Sequence, residues 1–163
     1  MSIRIIITGG TFDKHYDELH GELTFKNTHL PEILSFVRCT LPIELEINQL
    51  IDSLDMQLAN RMRILQSCRN APEDRIIITH GTDTMVETGK LLGEAGIEKT
   101  VVLTGSMVPY TFANSDAVFN LGCSITAVQL LPVGVFLNMN GRVFPWDKVR
   151  KNKSIGIFED DTL

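Results

Sequence analysis

Ile76-Ile77-Ile78-Thr79-His80-Gly81-Thr82-Asp83-Thr84 sets three branched apolar side chains in a row and then breaks into small and hydroxyl-bearing residues. A run that is apolar at every position, not at alternate ones, suits a strand buried on both faces. Such strands belong to parallel sheets covered by helices. The same grammar recurs twice. Ile5-Ile6-Ile7-Thr8 leads into Gly9-Gly10-Thr11, and Val101-Val102-Leu103-Thr104 leads into Gly105-Ser106. In open sheets of this kind the loops at the carboxyl ends of the strands build the ligand site. Glycine lets the backbone approach a ligand closely, while a threonine or serine oxygen can hydrogen-bond it or attack it.

The rest of the chain alternates around these runs. Strands are predicted over Arg4 to Thr8, Leu45 to Ile51, Arg75 to Thr79, Thr100 to Thr104 and Val133 to Leu137. Asn140-Gly141 then turns the chain back into a short partner strand, Arg142 to Phe144. A final strand is expected over Ser154 to Phe158, ahead of an acidic tail. Helices are expected near Pro31 to Val37, with proline in the first turn, over Met56 to Ser67 and over Ala117 to Leu131. Thr84-Met85-Val86-Glu87 reads as a capping box that opens a further helix closing near Gly93 or Gly96. Thr11 to Asn27 shows no period. It reads as a loop or loose hairpin, long enough to act as a lid. Strands alternating with helices give a three-layer α/β/α single domain with a mainly parallel, flavodoxin-like sheet. No internal boundary divides residues 1–163.

Composition narrows the function classes. With 163 residues, 44% apolar and 21% charged, the chain suits one soluble globular domain. A net charge of −5 argues against nucleic acid or an anionic membrane surface as the main partner. No stretch approaches a membrane span, and Ile3 to Ile7 is too short for a signal peptide. Cys39, Cys68 and Cys123 lack metal-ligand spacing and read as reduced thiols of a cytoplasmic protein. His15, His20 and His29 have no metal-ligand spacing either, so no metal site is expected.

Each candidate residue has a plain reading beside a chemical one. Thr8-Gly9-Gly10-Thr11 is either a flexible turn or a cradle whose backbone N–H groups hold an anion or carbonyl oxygen while Thr11 presents its hydroxyl. Asp83 is either a first-turn acid complementing a helix dipole or a ligand for an ammonium group. His80, following a buried strand, reads as a packed and hydrogen-bonded residue in preference to a base. Threonine needs a base to act as a nucleophile. Lys148-Val149-Arg150-Lys151-Asn152-Lys153 reads by default as a solvated basic face, but a lysine of that run buried beside Thr82 and Asp83 is a workable base.

Taken together these segments resemble the amino-terminal domain of the bacterial-type L-asparaginases, homo-oligomeric threonine amidohydrolases. The resemblance runs from Ile5 to about Phe158. It rests on Thr8-Gly9-Gly10-Thr11, Thr79-His80-Gly81-Thr82-Asp83-Thr84-Met85 and Val102-Leu103-Thr104-Gly105-Ser106-Met107. Asp116 with Phe119-Asn120-Leu121, and Gly141-Arg142 followed by Val149-Arg150-Lys151, extend it. It implies that Thr11 is the nucleophile on the side-chain amide of asparagine, without metal or other cofactor. Thr82, Asp83 and Lys151 would form a second catalytic group with Lys151 as base. Asp83 would hold the substrate ammonium, Ser53 its α-carboxylate, and Gly10 and Ser106 would line the substrate. Aspartate and ammonia would be the products, and a homodimer or higher homo-oligomer the working form.

The chain departs from the family pattern at several points. Phe25 stands where the family has a loop tyrosine, with Tyr16 as a candidate substitute. Leu54 follows Ser53 where many members carry glutamine, and Phe144 to Lys148 contains an insertion. Family chains continue into a smaller carboxyl-terminal domain, which this sequence is read as lacking. Two alternatives therefore stand beside a single-domain amidohydrolase. One is an aspartate- or asparagine-binding module or partner subunit; the other is a flavodoxin-like protein holding a flavin phosphate in its first loop.

Overall fold

The structure is a computed structural model and describes residues 1–162. In chain order its first elements are β1 (Ile3–Gly9), β2 (His15–Asp17), β3 (Glu22–Thr24), α1 (Leu30–Phe36) and β4 (Ile43–Ile51). Next come α2 (Leu58–Asn70), β5 (Arg75–Thr79), α3 (Met85–Glu94), β6 (Thr100–Thr104) and α4 (Ala117–Leu130). The chain finishes with β7 (Gly134–Met139), β8 (Arg142–Pro145), β9 (Val149–Asn152) and β10 (Ile157–Asp160). Single 3-10 turns follow β1 at Thr11–Asp13 and β4 at Ser53–Asp55.

The central sheet has six strands in the order β4-β1-β5-β6-β7-β8, parallel except for β8. Counting only the five parallel strands, the order is 2-1-3-4-5, the flavodoxin-like arrangement. Chain direction across the sheet reverses between β1 and β5, and ligands bind at such a switch point. The unbroken apolar runs explain the layers. Ile5, Ile7, Ile77 and Val102 join Leu30, Ile33, Ala117 and Leu121 of α1 and α4 on one face. On the other, Ile6, Ile76, Ile78, Val101 and Leu103 meet Ile64, Leu65, Met85 and Leu92 of α2 and α3. Alternating side chains of one strand thus serve two cores, which is why every position is apolar.

Two expectations need correction. The last strand begins at Ile157, not Ser154, and does not extend the central sheet. It pairs antiparallel with β9 in a separate hairpin, Lys151 opposite Phe158. Gly156, with φ +67, closes the turn, and its N–H donates to the Asn152 carbonyl at 2.9 Å. Thr84 stands at the amino end of α3 but makes no capping hydrogen bond. Its hydroxyl donates instead to the carbonyl of Ser53 at 2.8 Å, and Glu87 reaches Arg61 at 3.1 Å. Both members of the supposed box are drawn off by tertiary partners.

Candidate active site

β1 ends wedged between its neighbours. The β1–β4 register slips between Ile7 and Gly9, and Gly9 and Gly10 adopt φ of +97 and +74. A Cβ on Gly9 would lie 2.5 Å from the Ile51 nitrogen, and one on Gly10 would collide with the Gly81 nitrogen. Only glycine fits both the backbone angle and the space. The close approach sets the loop carrying Thr11 against the loop carrying Thr82, each threonine next in sequence to a contacting glycine. Thr11 is half-buried at the head of its 3-10 turn. Asp13 closes that turn from inside, fully buried. Its Oδ1 accepts the His29 N–H at 2.8 Å and the Thr28 hydroxyl at 3.1 Å. Burial pushes the Asp13 carboxyl up, against the pull of these two donors.

Across the switch point, Lys151 Nζ donates to Thr82 Oγ1 and to Asp83 Oδ1, both at 2.8 Å. The Lys151 side chain is 8% exposed, that of Asp83 40%. The β9–β10 hairpin delivers it. Val149 and Phe158 are buried in the core beside α2 and α3, and strand alternation turns Lys151 inward with Val149. Lys148, Arg150 and Lys153 stay exposed, so the solvated basic face describes those three only.

His80 is completely buried. Its Nδ1 donates to the Gly81 carbonyl and its Nε2 accepts the Thr88 hydroxyl, both at 2.7 Å. Burial pushes the imidazole down to about 4, the Gly81 bond opposing and Arg61 adding to the shift. A neutral, doubly bonded ring is a structural peg for the loop. Arg61 completes it, donating to Thr88 Oγ1 at 3.1 Å and to the Met56 carbonyl.

Ser53 is 1% exposed and accepts the Thr84 N–H at 3.3 Å. A Cβ on Gly81 would lie 2.5 Å from Ser53 Oγ, so this third loop also meets the other two. Ser106 is 1% exposed, its hydroxyl buried without a hydrogen-bond partner. Gly105 beside it packs against the His80 carbonyl. Asp116 anchors this wall. It accepts N–H groups of Met107 and Val108 and the side-chain amides of Asn120 and Asn140. Thr11, Gly10, Thr82, Asp83, Ser53 and Ser106 thus lie on neighbouring loops at one end of the sheet, and β9 brings Lys151 to them. Tyr16 does not join them; it is 58% exposed on the β2–β3 hairpin, opposite Leu23. Phe25 lies near Lys14, whose ammonium is 5.7 Å from its ring centroid. Among the described residues no cluster of three or more His, Cys, Asp or Glu is arranged to hold a metal ion. The three cysteines are free, and no described helix is long and apolar enough to cross a membrane.

The model of the asparaginase amino-terminal domain matches residues 2–158. The chain belongs to the asparaginase family. L-asparaginase 1 of Escherichia coli is 29% identical over 167 residues, spanning 95% of this chain and 48% of that protein. L-asparaginase of Thermococcus kodakarensis is 37% identical over 86 residues, spanning 52% of this chain and 26% of that one. A glutamyl-tRNA(Gln) amidotransferase subunit of Saccharolobus islandicus is 27% identical over 146 residues, 85% of this chain and 33% of that one. Among solved structures, the thermostable L-asparaginase of T. kodakarensis superposes with a TM-score of 0.87 at 29% identity, covering 98% of this chain and 51% of that one. A probable cytoplasmic L-asparaginase of Campylobacter jejuni gives 0.85 at 28% identity, covering 99% and 53%. The chain therefore spans about half the length of the solved asparaginases it matches.

Within this asparaginase-family domain, three groups that shape the site carry no signal in the sequence. Arg61 is a buried cation in α2 that no local pattern marks. Asn140 reads from sequence only as a turn residue, yet its side chain braces Asp116. The Lys14–Asp52 ion pair joins two loops, and each member alone reads as a surface charge.

Proposed function

We propose that the chain is an amidohydrolase acting on the side-chain amide of L-asparagine or a related small amide. The observation that carries this reading is the buried Lys151 donating to both Thr82 and Asp83 at 2.8 Å, beside the glycine-lined turn of Thr11. Thr11 Oγ attacks the amide carbon, and the carbonyl electrons move onto its oxygen. Backbone N–H groups near Thr11 and Thr82 take up the negative charge, an interaction worth about 2.7–4 kcal/mol per donor in other hydrolases. The proton that Thr11 Oγ gives up on attack passes to the amide nitrogen, which departs as ammonia and leaves Thr11 as an ester. Water then cleaves the Thr11 ester, with Thr82 and Lys151 relaying one of its protons back to Thr11 Oγ, and aspartate departs. Asp83 holds the substrate ammonium, Ser53 its carboxylate, and Ser106 the wall. The route asks for no cofactor. We further propose that copies of the chain pair as a homodimer or higher homo-oligomer, a point for light scattering to settle.

Ammonia release from asparagine and glutamine is the direct test. Wild-type turnover that Thr11→Ala and Lys151→Met both abolish supports the proposal. Equal, negligible rates in wild type and Thr11→Ala refute it for these substrates. A second reading, an aspartate- or asparagine-binding module or partner subunit, draws on Phe25 and on the likeness to an amidotransferase subunit. Stabilisation by aspartate without turnover would favour it.

A further inference from the structure

The segment between the turn of Thr11 and α1 hangs on little. The β2–β3 hairpin bonds mainly to itself. Asp17 accepts the N–H groups of Leu19 and His20 and pairs with the His20 ring, and His15 Nε2 lies 3.3 Å from the Asn27 carbonyl. Its apolar side chains face water, with Tyr16 58% and Leu19 87% exposed. Asp13 cinches its base through Thr28 and His29, where the His15 ring also rests on His29 at 4.1 Å. Among the described residues, one hydrogen bond runs from a side chain of residues 14–27 to the rest of the chain. It joins Lys14 Nζ to Asp52 Oδ2 at 2.5 Å.

Its far end is well placed. The other oxygen of Asp52 accepts the Leu54 N–H at 3.0 Å, so Asp52 heads the 3-10 turn that carries Ser53. Lys14 immediately follows the 3-10 turn that carries Thr11. The pair therefore spans two matching turns at the ends of adjacent parallel strands. Both members are partly shielded, at 17% and 31% exposed. The Lys14 ammonium is the main reason the Asp52 carboxyl lies below its ordinary range.

We propose that Lys14 is a positioning residue whose bond to Asp52 straps the base of the hairpin to the Ser53 turn and holds the Thr11 turn against it. Its effect on turnover rests on the proposed amidase reading; its effect on the hairpin does not. Hydrogen exchange of residues 15–27 reads the strap directly. Breaking a partly shielded pair by Lys14→Met or Asp52→Asn should speed exchange there by roughly fivefold, leaving the sheet unchanged. The double variant should do no more than either single one, and Lys14→Arg should hold the wild-type rate. In turnover, Lys14→Met should raise KM for asparagine and Lys14→Arg recover it. Unchanged hairpin exchange in Lys14→Met, or additive effects of the two single changes, overturns the strap. The exchanged pair Lys14→Asp with Asp52→Lys gives a second reading if one variant folds poorly; exchange as fast as in Lys14→Met would equally overturn it. A wild-type chain with no turnover of asparagine or glutamine refutes the amidase reading for these substrates, while the exchange rates still decide the strap.

Discussion

Lys151 stands among four cations between Lys148 and Lys153, and composition gives it no distinction. What sets it apart is one step of strand alternation beneath a buried Val149. Its ammonium then replaces water with two oxygens at 2.8 Å. Lys151→Met keeps the stem and removes the proton-bearing nitrogen. It should cut ammonia release by about 10²–10⁴-fold, as loss of a positioned acid–base group does, while circular dichroism shows the fold intact. Retained activity would remove Lys151 from the reaction. Gly10 is decided by space and angle together. Gly10→Ala drives a Cβ into the Gly81 backbone at φ +74, and backbone cannot move aside as a side-chain tip does. A loss of about 1–3 kcal/mol in urea unfolding is expected, with turnover falling further than stability.

Elements meet at this site through their ends. β1 and β4 each run into a 3-10 turn, and β5 runs through the His80 loop into α3. His80 is the peg of that junction, and its burial makes the junction sensitive to acid. In the unfolded chain the imidazole titrates near 6.5; in the fold it is pushed down to about 4. Above pH 6.5 neither state carries the proton. Between 6.5 and 4 the unfolded chain binds it and the folded chain does not, so stability falls as pH falls through that window. The full loss is about 3 kcal/mol. His29, pushed down chiefly by burial, acts in the same sense, whereas Asp13, pushed up, acts against it. Urea midpoints of wild type and His80→Asn between pH 7 and 4 check this; the variant should lose most of the slope. An unchanged slope would place the acid sensitivity elsewhere. Most elements were legible because period and punctuation agree, and β5 and β6 match their predicted bounds residue for residue. The capping box misled because Ser53 and Arg61, distant in sequence, take the two side chains that a local rule assigns to each other.

For the molecule as a whole, the switch between β1 and β5 gathers residues from positions 10 to 151 at one end of the sheet. A ligand seated there stabilises the fold by mass action, about 2.7 kcal/mol at a hundred times its Kd. If the site takes the amino acid as proposed, saturating aspartate should raise Tm by roughly 5–10 °C. Thr11→Ala should keep most of that rise and Ser53→Ala lose much of it, since one hydroxyl is assigned to attack and the other to binding. Aspartate without effect on Tm would refute the binding site. The sequence by itself determined the layered α/β architecture and the three loops that meet, because double-sided burial and glycine breaks are written in consecutive residues. The resemblance names Lys151, but only tertiary structure decided that it turns inward while its neighbouring cations stay in water, where Thr84 bonds, and that Lys14 reaches Asp52. Those choices depend on atoms brought within 3 Å across tens of residues, and no local pattern encodes such distances.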